Sequence, residues 1–498
     1  MLKITVILLL ILYTLSLLFI FIYSLSQAHV LVKYKRASKK KKQKIRKLVN
    51  FPHVTVQLPI YNELYVVERL IDSVVNMVYP IDKLEIQVLD DSTDETTAIL
   101  EKEISSWKSK GFDIQHIRRN DRSGFKAGAL KHGLAIAKGE FVAIFDADFT
   151  PNPDFLQHII PHFKNQEIGM VQSRWGHINR NYSVLTHLQA FSLDAHFTIE
   201  QGGRNASGSF INFNGTGGVW RKSCIVDAGD WNGSTLTEDL DLSYRAQMKG
   251  WKFKYLENVE CPAELPPVMS AIRSQQYRWT KGGAENARKH LKKVIKSDES
   301  TTTKWHAFFH LLNSAVFICI LVSAITSLPL LIFKKQLRWI DNYFLLTSFF
   351  IISLIIVGIF FYVSYSTIEK DKKNKFWRFI IMFPAFLTVS MGMSLHNSIA
   401  VIEGYIGKKS PFIRTPKFNI QKNKDSYKGN IYIGTGVSYT TILEIILAVY
   451  FIVGVALAFV FNDFTLFIFH LLLSIGYLIM VFLSVFQAKG RIRRKVAV

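Results

Sequence analysis

The chain has 498 residues, of which 49% are hydrophobic, and 61 Lys and Arg against 38 Asp and Glu give a formal net charge of +23. The first apolar run, residues 4–32, contains no charged side chain. A helix of about 20 residues crosses the hydrocarbon core of a bilayer, so this run is long enough to span it. This run, with further long apolar stretches between residues 305 and 488, excludes a secreted, cytosolic or disordered protein. The three cysteines are too few and too scattered for a disulfide framework or a zinc site.

A basic block follows the first apolar run. Residues 33–47 hold ten Lys and Arg and no acidic residue. Such a block beside a membrane helix is typical of the cytoplasmic face, where it also contacts anionic lipid headgroups, and we expect no nucleic-acid partner. A cleaved signal peptide is the alternative, but its apolar core is usually only about 7–15 residues long. We therefore predict a transmembrane helix over residues 1–32 and a basic cytoplasmic linker over 33–49.

Residues 50–300 have the composition of a soluble domain, with both charge signs and no long apolar run. Three strand-like segments, 53–58, 84–89 and 141–145, each end in a polar cluster. Between the first two, apolar residues recur at helical spacing: Val67, Leu70, Ile71, Val74 and Val78. Strands that alternate with helices predict an α/β fold with a mostly parallel sheet. Because ligands bind beyond the carboxyl ends of such strands, the polar clusters should share one crevice.

Pairs of carboxylates end two of these strands. No GxGxxG sequence follows the first strand and no Walker A sequence occurs, so neither a dinucleotide nor a P-loop phosphate is predicted. Asp146 and Asp148 suit Mg²⁺ or Mn²⁺, which keeps positions open for substrate phosphates and neutralises a departing diphosphate. Asp90 and Asp91 suit hydrogen bonds to a nucleobase imide or a ribose hydroxyl. For part of the polar cluster at residues 90–94, capping of the following helix is the alternative.

Two further polar motifs lie closer to the apolar C-terminal part. The Thr-Glu-Asp sequence at 237–239 precedes a helical segment at 240–245. It is either an N-terminal cap or the site of a general base for a sugar hydroxyl. In the segment 275–279, Arg278 can clamp phosphate oxygens and Trp279 offers an apolar face to a sugar ring. A membrane-interface belt, in which Trp and Arg are common, is the alternative for this segment.

Together these motifs resemble the processive membrane branch of glycosyltransferase family 2, which contains cellulose synthases, hyaluronan synthases and the plant mannan and glucan synthase-like proteins. The match covers nearly the whole chain and has five motifs in the family's order: Tyr61-Asn62-Glu63, Asp90-Asp91, Asp146-x-Asp148, Thr237-Glu238-Asp239 and Gln275-x-x-Arg278-Trp279. Residues 56–63 and 87–94 are most similar to the mannan-synthase-like branch.

The resemblance implies a GT-A, Rossmann-like cytoplasmic catalytic domain joined to an α-helical transmembrane domain. It implies donor-binding roles for Tyr61, Glu63, Asp90, Asp91, Lys126, Asp146 and Arg278, metal binding by Asp146 and Asp148, and acceptor binding by Thr237, Glu238, Gln275 and Trp279. It implies that Asp239 is the catalytic base. The segment 213–216 resembles a loop near the acceptor end but departs from the cellulose synthase version, which leaves the acceptor open.

The mechanism that the resemblance implies is a single in-line displacement. An α-linked nucleotide sugar of the UDP-glucose or GDP-mannose class would extend a β-linked polysaccharide, which then crosses the membrane. One alternative is transfer to a lipid, as in ceramide glucosyltransferases; another is a non-catalytic transport or scaffold subunit. Polyprenyl-phosphate sugar synthases fit less well because they usually lack the Gln-x-x-Arg-Trp element. The intact motif residues Asp90, Asp148, Asp239 and Arg278 argue against a decayed enzyme.

From residue 301 to 498 we predict transmembrane and interface helices. Spans are predicted at 305–333, 342–368, 441–462 and 464–488, which makes five with the first helix. We expect the catalytic domain in the cytoplasm, where nucleotide sugars are, and the basic block at 33–47 agrees, which places the N-terminus outside. Residues 379–402 are flanked by basic segments and contain a proline, so an interfacial or re-entrant element is predicted there, with a true span, which would make six, as the alternative.

The segment 411–417 resembles the gating loop of cellulose synthases, Phe-x-Val-Thr-x-Lys. Phe412, Thr415 and Lys417 match this pattern, whereas Arg414 replaces the valine. The resemblance implies a loop that closes over bound donor, excludes water and completes the site, as lids commonly do. An ordinary basic cytoplasmic loop is the alternative, because the prolines and lysines of the segment would also produce one.

Overall fold

The computed structural model describes residues 2–39, 50–337, 339–370, 373–433 and 439–495. Residues 40–49 of the predicted basic linker lie outside the described residues.

Residues 50–300 are built on one seven-stranded sheet. Its strands are β1 (Val54–Ile60), β2 (Leu84–Asp90), β3 (Asp113–Arg118), β4 (Phe141–Ile144), β5 (Ile168–His177), β6 (Gly218–Arg221) and β7 (Lys252–Ala263). Their order is β3-β2-β1-β4-β6-β5-β7. Only β6 is antiparallel to its neighbours, while the pairs β1–β2, β1–β4, β2–β3 and β5–β7 are parallel. The prediction of an α/β fold with a mostly parallel sheet is confirmed.

Helices surround this sheet and continue into the apolar part of the chain. Up to residue 300 they are α1 (Leu2–Ser38), α2 (Val67–Val75), α3 (Thr96–Ser109), α4 (Phe125–Ile136), α5 (Phe155–Ile159), α6 (Val184–Ala195), α7 (Gln201–Ala206), α8 (Lys222–Asp227), α9 (Glu238–Gln247) and α10 (Met269–Lys296). Beyond it are α11 (Thr301–Leu311), α12 (Ala315–Gln336), α13 (Trp339–Thr347), α14 (Ile351–Ile368), α15 (Lys375–Gly392), α16 (Ser394–Ile406), α17 (Tyr439–Val460) and α18 (Phe467–Lys495). A π-helix at His196–Glu200 joins α6 to α7.

Burial of apolar side chains explains why α2 packs on the sheet. The predicted stripe is buried in the core at Val67, Leu70, Ile71 and Val74. Fully burying one such side chain contributes about 1.5–3 kcal/mol. The prediction that Val78 belongs to this helix and its buried face is wrong, because the helix ends at Val75 and Val78 is exposed. Pro80 follows, a residue that cannot continue a helix without breaking its hydrogen bonds.

Five helical segments among the described residues are long and apolar enough to cross a membrane: Lys3–Ser38, Ala315–Gln336, Trp339–Ile368, Tyr439–Val460 and Phe467–Val485. The chain is a multi-pass membrane protein. One boundary differs from its prediction, because the span expected from residue 305 begins at Ala315 and α11 is a separate helix. The break falls at Asn313 and Ser314, whose side chains hydrogen-bond each other at 3.1 Å. Such side chains compete with the helical backbone for hydrogen bonds.

The predicted interfacial element is bent. α15 and α16 meet at 52°, which describes either a broken span or a re-entrant loop, so its character stays a prediction. α16 packs closely on α10, the helix that carries the Gln-x-x-Arg-Trp motif. A Cβ atom on Gly404 would lie 2.6 Å from the carbonyl oxygen of Lys281, so the two helices approach only because this residue is glycine.

Candidate active site

The carboxyl ends of β1, β2, β4, β5 and β7 meet at one edge of the sheet and line a cleft of about 170 Å³. α10 and the segment 411–417 form its other walls. All but one of the sequence-predicted site residues line this cleft: Tyr61, Glu63, Asp91, Lys126, Asp146, Asp148, Thr237, Glu238, Asp239, Gln275, Arg278, Trp279, Phe412, Thr415 and Lys417. The polar strand ends therefore converge as expected from a parallel sheet.

Asp90 is the predicted donor-binding residue that does not reach the cleft. Its carboxylate is buried and accepts hydrogen bonds from the Ser92 backbone N–H at 2.8 Å and from the Thr97 hydroxyl and His116 ring at 2.9 Å. Burial raises the pKa of Asp90, but these donors outweigh it and the net shift is downward. Asp90 thus fixes the turn after β2 and positions Asp91, and its oxygens are already occupied.

Asp146 and Asp148 lie at the end of β4, each beside a lysine. Lys126 Nζ is 2.5 Å from Asp146 Oδ1, and Lys417 Nζ is 2.6 Å from Asp148 Oδ2. Asp148 Oδ1 is buried and has no hydrogen-bond partner among the described residues. Across the residues that the structure describes, no group of three or more His, Cys, Asp and Glu side chains lies close enough together to hold a metal ion. Two carboxylates with an unpaired oxygen fit a divalent cation that takes its other ligands from phosphate and water.

The first turn of α9 presents two buried carboxyl groups, Glu238 and Asp239. Burial, together with the neighbouring Glu238, raises the pKa of Asp239 to about 7. Burial also raises the pKa of Glu238. Gly215 faces Asp239 with a φ of +80°, and a Cβ atom there would lie 3.2 Å from Asp239 Oδ2. A carboxyl group whose pKa lies near neutral pH is well suited to accept a proton during catalysis.

The position of Asp239 depends on the contact between α9 and α10. Asn286 Nδ2 donates to Thr237 Oγ1 at 2.9 Å and to the Thr237 carbonyl at 3.2 Å. A Cβ atom on Gly282 would lie 2.5 Å from Thr237 Oγ1, so a larger residue would push the two segments apart. The carboxyl groups are therefore held in a fixed relation to Arg278, which α10 also carries.

Lys126 links the two groups of carboxylates. Its ammonium donates to Asp146 and, at 2.9 Å, to the Gly215 carbonyl. Burial alone would lower the pKa of Lys126, but the negative charges of Asp146, Glu238 and Asp239 raise it above its usual value. A lysine whose charged form is favoured at this point can balance a diphosphate or the carboxylates themselves.

Two arginines that the sequence motifs do not include lie near the β1–β2 end of the cleft, Arg122 as part of its lining and Arg119 through its contact with Asp91. The guanidinium carbon of Arg122 lies 3.2 Å from the ring centroid of Tyr61. Arg119 pairs with Asp91 through two contacts, Nε to Oδ1 at 3.0 Å and Nη2 to Oδ2 at 2.5 Å. Planar guanidinium groups stack on aromatic faces, so this end suits a planar base. The available signal was the run of three arginines within residues 118–122.

The segment 411–417 enters the cleft and contacts α10. The Phe412 ring stacks on Phe125 with centroids 5.5 Å apart, and the Arg278 guanidinium carbon lies 4.8 Å from the Phe412 centroid. Arg278 Nη2 donates to Thr415 Oγ1 at 2.9 Å. Burial lowers the pKa of Arg278, and the surrounding carboxylates oppose this effect. The segment thus covers the cationic group that the sequence predicts for phosphate binding.

Arg414, which replaces the valine of the family pattern, is held on two sides. Its Nη1 atom lies 3.0 Å from Glu63 Oε2, and its guanidinium carbon lies 3.9 Å from the ring centroid of Tyr432. Burial raises the pKa of Glu63 to about 7, although Arg414 and Lys417 oppose the shift. Valine could make neither an ion pair nor a cation–π contact, so Arg414 adds two contacts to the loop that the valine of the family pattern could not make.

Both ends of the segment 411–417 are anchored. After it, the buried Glu264 carboxylate accepts hydrogen bonds from the three backbone N–H groups of residues 418–420 at 3.0–3.1 Å. Before it, the fully buried Lys281 donates to the Ser410 hydroxyl. These anchors join residues more than 120 positions apart, and no local pattern in the sequence marks them.

Two family descriptions match the chain. Glycosyl transferase family 2 matches residues 55–224, and glycosyl transferase family group 2 matches residues 141–391, which is half of the chain. The chain belongs to glycosyltransferase family 2, and the recognition made from the five motifs is confirmed.

Curated relatives narrow the comparison to one group of enzymes. The chain is 44% identical over 259 residues to glucomannan 4-beta-mannosyltransferase 1 of Oryza sativa subsp. japonica, covering 51% of this chain and 50% of that protein. It is 45% identical over 253 residues to glucomannan 4-beta-mannosyltransferase 2 of Arabidopsis thaliana, covering 50% and 47%. The chain therefore spans about half the length of the curated relatives it matches.

A solved structure supports the fold. A mannosyltransferase from Pyrobaculum calidifontis, in complex with GDP-Man and Mn²⁺, matches with a TM-score of 0.53 and 18% identity over 80% of this chain and all of that chain. At this identity the likeness shows the fold alone, and it confirms the GT-A class expected for the catalytic domain.

Proposed function

We propose that the protein is an inverting hexosyltransferase that moves a mannosyl unit from a nucleotide sugar to a growing β-linked polysaccharide. The observation that carries the proposal is the position of Asp239, a buried carboxyl group with a pKa of about 7, in one cleft with Arg278 and the carboxylates of β4. The curated relatives, named as mannosyltransferases of glucomannan, support the sugar and the polymer. GDP-mannose is the first donor to test, with UDP-glucose as the comparison.

The donor's diphosphate would lie among the cations and carboxylates at the centre of the cleft. Arg278 and Lys126 would bind its oxygens, with Asp146 and Asp148 holding Mg²⁺ or Mn²⁺. When bound, the cation supplies Lewis-acid stabilisation of the leaving diphosphate. The nucleobase of the donor would lie between Tyr61 and Asp91, beside Arg119 and Arg122.

The acceptor hydroxyl would lose its proton to Asp239. Its oxygen then forms a bond to the anomeric carbon while the bond from that carbon to the diphosphate breaks, and the nucleoside diphosphate leaves with the electron pair. One displacement inverts the anomeric carbon, so an α-linked donor gives a β-linked product. Thr237, Glu238, Gln275 and Trp279 would form the acceptor side, with Trp279 as an apolar platform for a sugar ring.

Access to the cleft would be controlled by the segment 411–417. Its Lys417 and Arg414 side chains pair with Asp148 and Glu63, so the segment must give way before donor and metal bind fully. With donor present, Thr415 and Lys417 could turn to the diphosphate, close the site to water and leave with the product. We place the catalytic domain in the cytoplasm, with the polymer crossing the membrane between helices that follow α10.

The test uses the purified full-length protein in lipid nanodiscs with GDP-mannose, GDP-glucose or UDP-glucose and either Mg²⁺ or Mn²⁺. We expect GDP-mannose to give polymer that a β-mannanase digests. The matched control is Asp239→Asn, which keeps the size of the residue and removes the proton acceptor. A product of one sugar on a lipid would contradict the polysaccharide proposal and favour a lipid acceptor. Absence of transfer from every donor would contradict the enzyme proposal.

A further inference from the structure

A histidine that no motif includes lies on the wall of the cleft. His177 is the last residue of β5, it lines the cleft, and its side chain is only 1% exposed. Its Nε2 atom lies 3.1 Å from Asp194 Oδ1. Its Nδ1 atom is buried and has no hydrogen-bond partner among the described residues.

The Asp194 carboxylate determines the tautomer of the neutral ring. A carboxylate only accepts hydrogen bonds, so the proton of a neutral His177 ring lies on Nε2 and Nδ1 keeps its lone pair. Asp194 is itself fixed by Arg180, whose Nη2 atom lies 2.7 Å from Oδ2. The ring is therefore held in one orientation, and in its neutral form Nδ1 is an acceptor with no partner in the part of the chain that the structure describes. Buried polar atoms are rarely left without a partner, which points to a ligand group that supplies the missing hydrogen.

The order of strand ends along the sheet indicates which ligand group this is. The proposed nucleobase site lies at β1 and β2, and the metal-binding carboxylates lie at β4. Strand β5 follows on the far side, beyond β6. His177 therefore lies on the side of Asp148 away from the nucleobase site. Beside it in the same wall is Trp175, which stacks on Phe197 with centroids 4.8 Å apart. Aromatic rings next to a fixed hydrogen-bond acceptor form a surface that suits a sugar ring with a hydroxyl group at its edge.

We propose that His177 recognises a hydroxyl group of the acceptor saccharide, accepting its hydrogen at Nδ1, and that Asp194 is the positioning residue for the ring. The inference rests on the proposed function, because it names a contact to the acceptor of that reaction. It assigns acceptor selectivity to β5, outside every motif by which the family was recognised.

Two substitutions at one position separate recognition from structure. In His177→Gln the side-chain amide occupies the position of the native Nε2 atom and keeps the contact with Asp194, but no polar group remains at the position of Nδ1. In His177→Asn the amide occupies the position of the native Nδ1 atom, and the contact with Asp194 is lost. We expect His177→Gln to raise the KM for short β-linked mannooligosaccharides about 10-fold, the effect of one lost hydrogen bond to a sugar hydroxyl. The KM for donor should not change, and His177→Asn should lie between His177→Gln and the native protein.

The acceptor hydroxyl can be identified with monodeoxy analogues of the same oligosaccharides. One analogue should lose affinity for the native protein and show no further loss with His177→Gln, whereas the other analogues should show the full effect of the substitution. Equal acceptor KM for native protein and His177→Gln, or equal increases for acceptor and donor, would overturn the inference. Nucleotide binding, measured by calorimetry, shows whether each variant is folded.

The inference about His177 can be tested separately from the proposed function, because binding of the acceptor can be measured without transfer. If the native protein transfers no sugar, calorimetry with the oligosaccharides and bound nucleoside diphosphate still compares native protein with His177→Gln. Binding weakened by the substitution supports the inference without transfer, and unchanged or absent binding overturns it.

Discussion

Replacement of Lys417 by methionine tests whether the segment 411–417 competes with a metal ion for Asp148. Methionine keeps much of the length and apolar stem of lysine and removes its charge. The substitution breaks the 2.6 Å contact between Lys417 Nζ and Asp148 Oδ2. Asp148 would then have both carboxylate oxygens free, since Oδ1 already lacks a partner among the described residues.

The size of the effect follows from the burial of this pair. The side chains of Lys417 and Asp148 are 16% and 6% exposed, so the pair is not a solvent-screened surface contact. Hydrogen bonds between charged groups contribute about 1.5–3 kcal/mol, and each 1.4 kcal/mol is a factor of ten in affinity. We therefore expect Mn²⁺ to bind about 10- to 100-fold more tightly to Lys417→Met than to the native protein when nucleotide is absent.

The assay is calorimetric titration of Mn²⁺ into the full-length protein in nanodiscs. Lys424→Met is the matched control, because Lys424 is an exposed lysine of the same connecting segment and its loss should leave metal affinity unchanged. Turnover with donor should fall in Lys417→Met, since the ammonium is then missing from the diphosphate site. Equal or weaker Mn²⁺ binding in Lys417→Met would refute the idea that the lysine and the metal share Asp148.

Four further predictions follow from the same cleft. Asp239→Asn should lower transfer about 10²–10⁴-fold while nucleotide affinity stays near native, and near-native turnover would remove Asp239 from the base role. Burial raises the pKa of Asp239 to about 7, so this carboxylate becomes protonated in acid and can no longer accept a proton. The kcat of the native protein should therefore fall as the pH decreases below about 7. A rate independent of pH from 5 to 8 would contradict this assignment. Arg414→Val should speed hydrogen exchange of residues 411–417, and exchange identical to that of native protein would show that the contacts to Glu63 do not hold the loop. Gly282→Ala should reduce kcat about 10²-fold in folded protein, because its Cβ displaces Thr237 at the start of α9; unchanged kcat would show that this contact does not position the base.

The motifs of the cleft could be found from the sequence because their positions follow simple rules. Asp91 and Asp146 directly follow apolar strands, and parallel strands end at one edge of a sheet. The same rule included Asp90, whose burial could not be foreseen because it depends on His116 of the neighbouring strand β3. Adjacent residues in a sequence differ in role when only one of them faces the open edge.

Contacts between distant segments account for what the sequence could not predict. Glu264 and the backbone of residues 418–420 are more than 150 positions apart, and the helices α10 to α16 lie between them in the sequence. His177 gave no signal because a single histidine on a strand has many uses, and its significance depends on Asp194 and on an unpaired ring atom. The helix break at Asn313 was hidden for another reason: the uncharged stretch is continuous in composition although the helix is not.

The stereochemistry of the transferred sugar tests the central claim most directly. The native protein is incubated with GDP-α-mannose and a short mannooligosaccharide, and the anomeric configuration of the new linkage is read by NMR from its one-bond carbon–hydrogen coupling. A single displacement with Asp239 as base predicts a β-linkage, formed by the native protein and absent with Asp239→Asn. An α-linkage would contradict the mechanism, because it requires an even number of displacements or a departure of the diphosphate before attack.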